Sequence, residues 1–345
     1  MNKEFLYTLL DNMSVSGHEI GLQKKVIDHM QPHCHRILTD HTGNVICVLN
    51  PDAPFRVMLA AHIDEIGLIV THIQDDGLIR VARAGGIPAG IYPGHQVVLH
   101  GDAGPIYGAV IHSGSTKKAD LKDTDLIIDI GAENAGHARE YIREGDPVHL
   151  NTYHQPLLGD KLCARAIDDR GGAFIILEAL KRAKELGCTA GVYCATTVGE
   201  ETTMRGAYWA GANICPQVAI AVDVTYAQDY PGTAPEESGN VRLGKGPVLC
   251  NGSISNRKVN DLLRTIAREA DIPIQEEAFA GRTGTDADRI HVTGTGVITA
   301  LVSLPLRYMH SGAEVCDLKD VEAAIELLAR FLHRVSEGCD FDPFH

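Results

Sequence analysis

The run Gly191-Val192-Tyr193-Cys194-Ala195-Thr196-Thr197 continues through Val198-Gly199-Glu200-Glu201-Thr202 into a helical stretch reaching Gly211. A second apolar run then ends in Ala219-Ile220-Ala221-Val222-Asp223. A β-rich segment, a carboxylate-bearing turn, a helix and another β-rich segment form the repeating unit of a parallel sheet, because parallel neighbours need a crossover between them. The alternation continues downstream, with helical spacing at 170–186, 256–270 and 317–336 and strand-like runs at 273–279 and 297–302. Upstream, helical spacing at 3–12 and 17–31 precedes the strand-like Val45-Ile46-Cys47-Val48-Leu49 and Arg56-Val57-Met58-Leu59-Ala60-Ala61. From about 71 to 160 the texture changes to short β-rich runs punctuated by Gly and Pro. The expectation is an α/β chain with a mostly parallel sheet and helices on both faces. Its discontinuous main domain spans 1–70 and 161–345, and an all-β insert occupies 71–160.

The 345 residues suffice for a large domain and a smaller one. A formal net charge of −14 with no compensating basic run excludes a nucleic-acid backbone as partner. Nine cysteines, odd in number and without a Cys-x-x-Cys pair, read as reduced thiols in a reducing compartment. With no signal-peptide core and no long uncharged apolar stretch, a cytoplasmic protein without a membrane partner is expected.

In open α/β sheets ligands bind beyond the carboxyl ends of strands, and the polar residues gather there. His62 and Asp64 follow the strand ending at Ala61 and, two apart, point to one side. Asp64 is a candidate to orient a metal-bound His62. Asp168 and Asp169 precede Gly171-Gly172 and an apolar helix, Glu200 and Glu201 end one strand, Asp223 ends another, and His310 lies in the loop after the last. Singly, each has a plain reading as a cap, a turn or a hydrogen-bonded loop residue. Converging from five strand-to-loop junctions, two histidines and several carboxylates without cysteine suit two divalent ions of Zn, Co or Mn type, bridged by a carboxylate and about 3.5–4 Å apart.

Six spaced motifs then carry a resemblance over nearly the whole chain: Ala60-Ala61-His62-Ile63-Asp64-Glu65-Ile66-Gly67, Ala166-Ile167-Asp168-Asp169-Arg170, Gly199-Glu200-Glu201, Val222-Asp223-Val224-Thr225, Gly284-Thr285-Asp286-Ala287 and Arg307-Tyr308-Met309-His310-Ser311. The chain resembles the tetrahedral aminopeptidases, metallopeptidase family forty-two, a glutamyl-aminopeptidase group some of whose members were named cellulases. The resemblance implies a zinc-aminopeptidase-like main domain. It also implies that Asp168 bridges two metals, zinc being the first expectation, with His62 and Asp223 on one and Glu201 and His310 on the other. Glu200 would be the general base and Asp64 the orienter of His62. The insert would be a PDZ-like dimerisation domain, with dimers assembling into a hollow tetrahedral dodecamer. At Gly281-Arg282-Thr283-Gly284-Thr285-Asp286 the chain departs from the family, which often has three glycines there. Arg282 is a candidate for drawing acidic first residues.

The expected chemistry is attack of a metal-activated water on the first peptide bond of an unblocked peptide, with Glu200 shuttling the proton. A glycoside hydrolase is a rival reading. It needs carboxylates on opposite sides of the scissile bond, which sequence neighbours such as Glu200 and Glu201 are poorly placed to supply. A binding protein that has lost its chemistry is a third, disfavoured by the presence of every proposed ligand.

Overall fold

The computed structural model describes the chain apart from residues 113–120, 235, 237, 238, 336, 337 and 345. An eight-stranded sheet forms its centre. In spatial order the strands are Arg36–Thr39, Val45–Leu49, Gly191–Thr197, Arg56–His62, Val218–Tyr226, Ile298–Leu306, Val248–Gly252 and Gln275–Phe279. The middle four run parallel, with Val192 opposite Val57, Ala221 opposite Ala60 and Asp223 opposite Ser303. Antiparallel pairings flank them on both sides, so the expected parallel sheet holds at the centre and turns mixed toward the edges.

Strands buried on both faces read as continuous apolar runs, and Val57, Met58, Leu59, Ala60 and Ala61 are all inaccessible. Val57, Leu59 and Ala61 pack in one cluster with Phe174, Ile175 and Leu177 of helix Ile167–Glu185 and Leu327, Leu328 and Phe331 of helix Leu318–Arg334. Met58 and Ala60 point the other way, onto Ala207 and Ala210 of helix Arg205–Ile214. Helices therefore cover both faces.

Six strands within Gly67–Leu150 close into a barrel with its own apolar core, including Leu68, Val81, Val97, Val110 and Ile128. The region is not wholly β, because a short helix, Ala135–Arg139, lies among the strands. A small sheet, unexpected from the sequence, joins Gln155–Pro156, Lys161–Ala164 and Glu314–Asp317. Among the described residues no helix is long and apolar enough to cross a membrane, and all nine cysteines are free thiols.

Candidate metal centre

The parallel strands end side by side. Thr197, the last residue of its strand, stands opposite His62, and Asp223 lies on the next strand over. This register brings together residues far apart in sequence, because the carboxyl ends of parallel strands share one edge. His62, Asp168, Glu200, Glu201, Asp223 and His310 line a single cleft of about 1040 Å³.

Asp168 sits between the two imidazoles. Its Oδ1 is 3.1 Å from His62 Nε2 and its Oδ2 is 3.2 Å from His310 Nε2. Glu200 Oε2 and Glu201 Oε2 approach the same two nitrogens, respectively, each at 3.8 Å. Two sets bring one ligand-type atom per residue within 4.8 Å of one another: His62 with Asp168 and Glu201, and His62 with Asp169 and Asp223.

The electrostatics of this cluster are unbalanced. Burial, then Asp223, Asp286 and Asp168, push the Glu200 carboxyl up to about 10, against the pull of His62. Asp223 rises to about 8 for the same first reason, with Asp168 and Asp286 adding to it, and burial with Asp168 carries Glu201 well above its usual range. Burial also works on the imidazoles, but Asp168 and Asp64 hold His62 well above its ordinary value, and Asp168 raises His310. Glu200 Oε1 and Glu201 Oε1 are buried without a hydrogen-bond partner. Among the described residues no Lys or Arg forms an ion pair with Asp168, Glu200, Glu201 or Asp223. Buried carboxylates in such number need cations, and an oxygen-and-imidazole donor set without thiolate fits divalent ions of Zn, Co or Mn type.

Asp64 does more than its spacing suggested. Its Oδ1 is 3.5 Å from His62 Nδ1, and it also accepts from the backbone amides of Glu200, at 3.0 Å, and Glu201, at 3.2 Å. One fully buried carboxylate thus braces the turn carrying both glutamates and lies beside the imidazole, whose Nδ1 also meets the Asp64 backbone carbonyl oxygen at 3.2 Å.

Three supporting residues were given no role from sequence. Asp169 Oδ2 accepts from the His62 amide at 3.2 Å and its Oδ1 from the Gly172 amide at 3.1 Å, so both oxygens are engaged and the residue braces the site. Glu314, 1% exposed, accepts from the amides of Asp168, at 3.1 Å, and His310, at 2.9 Å, tying the two together. Asp286 bonds the Thr197 hydroxyl at a strand end. The paired carboxylates hinted at Asp169. Nothing local distinguished Glu314, whose partners lie 146 and 4 residues away.

The model of the M42 glutamyl aminopeptidase family matches residues 43–327. The lysyl aminopeptidase of Pyrococcus furiosus is 33% identical over 352 residues, covering 99% of either chain. The solved TET aminopeptidase of a marine-sediment Thaumarchaeota archaeon superposes with a TM-score of 0.92 at 30% identity, covering 97% of this chain and 96% of that one. A TET1 peptidase of Pyrococcus horikoshii, which can assemble into a tetrahedron or a large octahedral shell, gives 0.86 at 29%, covering 96% and 99%. With the fold, the cleft and these likenesses in agreement, the chain belongs to the M42 glutamyl aminopeptidase family of metal-dependent hydrolases.

Proposed function

We propose that the chain removes the first residue of short unblocked peptides using two divalent ions, zinc being the first expectation and cobalt or manganese the alternatives. Asp168 would lie between them, with His62 and Asp223 holding one and Glu201 and His310 the other. The observation that carries this reading is the Asp168 carboxylate, which turns one oxygen to each imidazole. Ions bound there supply Lewis acidity toward a carbonyl oxygen and lower the pKa of water.

The protein's own groups supply the proton handling. Glu200, 8% exposed and with Oε1 unpartnered, is placed to take a proton from a water in the cleft and return it to the leaving amine. Its high pKa comes from burial and from Asp223, Asp286 and Asp168, so neutralising those neighbours brings it toward the range a base needs. Asp64 holds His62 and the Glu200–Glu201 turn on one carboxylate, giving ligand and base a fixed separation. The substrate's α-ammonium is attracted to the same carboxylates, a contact that N-acetylation removes.

The insert at 71–160 is read as a PDZ-like dimerisation domain interrupting a catalytic domain of 1–70 and 161–345. Tyr107 and Ile111 support this, pointing outward from barrel strand Gly104–His112 at 62% and 43% exposure. Dimers would assemble into a dodecamer, and the nine free thiols accord with a cytoplasmic setting. Stripping with a chelator and titrating zinc calorimetrically tests the centre. Two ions per chain are expected, and Asp168→Asn should weaken both; one ion per chain, or an Asp168→Asn protein that binds normally, would overturn the assignment.

A further inference from the structure

Besides the carboxylate cluster, the same cleft is lined by Thr225, Glu277, Ser303 and Leu301, together with Ile254 and Phe279. Glu277 is 4% exposed. Its Oε2 accepts from the Thr225 hydroxyl at 2.6 Å, while Oε1, with Ser303 beside it, has no well-aligned hydrogen-bond partner. Among the described residues no Lys or Arg pairs with it. A buried carboxylate without a counter-ion costs free energy, and one that faces a substrate cleft is placed to receive a charge from the ligand.

Its position fits the first side chain of a peptide. Thr225 lies two residues beyond Asp223 on strand Val218–Tyr226, so the two side chains share a face about 7 Å apart. A lysine whose backbone sits at the cluster spans that distance with its four-carbon stem. Ile254, Phe279 and Leu301 offer apolar surface to the stem, and Glu277 Oε1 offers an acceptor to the ammonium. Arg282 and Arg289 line the same cleft but are exposed, where water and salt screen their charge. Burial raises the Glu277 carboxyl above its ordinary value, against hydrogen bonding from Thr225 and Ser303, so a ligand ammonium beside it would supply the counter-charge that holds it ionised.

We propose that Glu277 is the specificity-determining residue for the first side chain and selects peptides beginning with lysine or arginine. This deepens the proposed aminopeptidase reading and rests on its placing the substrate's N-terminus at the carboxylate cluster. Lysyl-, arginyl-, leucyl- and glutamyl-p-nitroanilides should be compared on the zinc-loaded wild type and on Glu277→Gln. The wild type should favour the cationic pair, and the Gln variant should lower the lysyl-to-leucyl ratio of kcat/KM about ten- to a hundredfold, the worth of a charge-assisted hydrogen bond.

A second measurement does not depend on the variant folding. Free lysine should inhibit the wild type more tightly than norleucine, which keeps the stem and lacks the ammonium. Preference for glutamyl substrate, equal inhibition by the two amino acids, or an unchanged lysyl-to-leucyl ratio in Glu277→Gln would each overturn the assignment to Glu277 while leaving the aminopeptidase reading intact. Failure of the metal-loaded wild type to cleave any of the four would overturn both.

Discussion

Glu65 joins two fully or nearly buried arginines behind the candidate centre. Its Oε1 accepts from Arg170 Nη2 at 2.6 Å and from the Ser14 amide at 3.1 Å, and its Oε2 from Arg165 Nη1. Burial alone would raise its carboxyl, but Arg165 and Arg170 outweigh that and lower it to about 2. Glu65→Gln leaves two guanidiniums facing a neutral amide, so a loss of about 3–5 kcal/mol is expected in denaturant titrations at neutral pH. The sign in acid follows from the lowered pKa. The stabilisation is fully present above the unfolded carboxyl's ordinary value of 4.5 and fades as pH falls toward 2. The gap between wild type and variant should therefore narrow from pH 5 to pH 2, and a constant gap would refute the ion cluster as its source. From sequence, Glu65 was visible only as part of a motif. Its partner Arg165 is 100 residues away and Arg170 is 105, and no local spacing encodes such a pairing. His62, Glu200, Glu201 and Asp223 stand out in the sequence because a polar or charged residue ending an apolar strand is costly unless the strand end is a site, whereas Asp168, at a helix start, and His310, in a loop, stand out only beside them.

The start of helix Ile167–Glu185 shows how an element serves the centre. Ala166 is left-handed at φ 57°, Asp168 and Asp169 are not helical, and regular helix begins only after them. Gly172 allows this, since a Cβ there would lie 2.2 Å from Asp169 Oδ1. Gly172→Ala should push Asp169 off the His62 amide, costing about 1–3 kcal/mol and weakening zinc binding. An alanine variant with unchanged calorimetric affinity would show that Asp169 does not brace the site. Most elements of the main sheet followed from apolar runs and helical spacing, within a few residues at their ends. The single helix expected at 202–211 is instead two, Glu200–Thr203 and Arg205–Ile214, divided at left-handed Met204. The small sheet escaped detection because Gln155–Pro156 is only two residues long and Glu314–Asp317 joins from far down the chain.

For the whole molecule, the barrel's exposed Tyr107 and Ile111 and the proposed assembly make one prediction. Light scattering should find a large homo-oligomer, a dodecamer in the proposed form, and Ile111→Glu should shift it toward smaller species; a metal-loaded wild-type monomer at micromolar concentration would contradict it. The change of texture between residues 71 and 160 overlaps the barrel strands of Gly67–Leu150 without matching their bounds, and closure into a barrel was not legible, because it depends on strand pairings such as Leu68 with Val148 that no short motif records. Assembly and metal content also provide the reference against which the two adjacent glutamates can be told apart. Glu200 is proposed to move protons and Glu201 to hold an ion, and metal stoichiometry measured beside turnover for Glu200→Gln and Glu201→Gln separates the two roles. Glu200→Gln should keep two ions and the full assembly while losing about 10²–10⁴-fold in kcat. Glu201→Gln should lose occupancy of one ion and recover part of its activity in excess divalent metal. Loss of an ion from Glu200→Gln with both retained in Glu201→Gln, or full activity in either variant, would contradict the account.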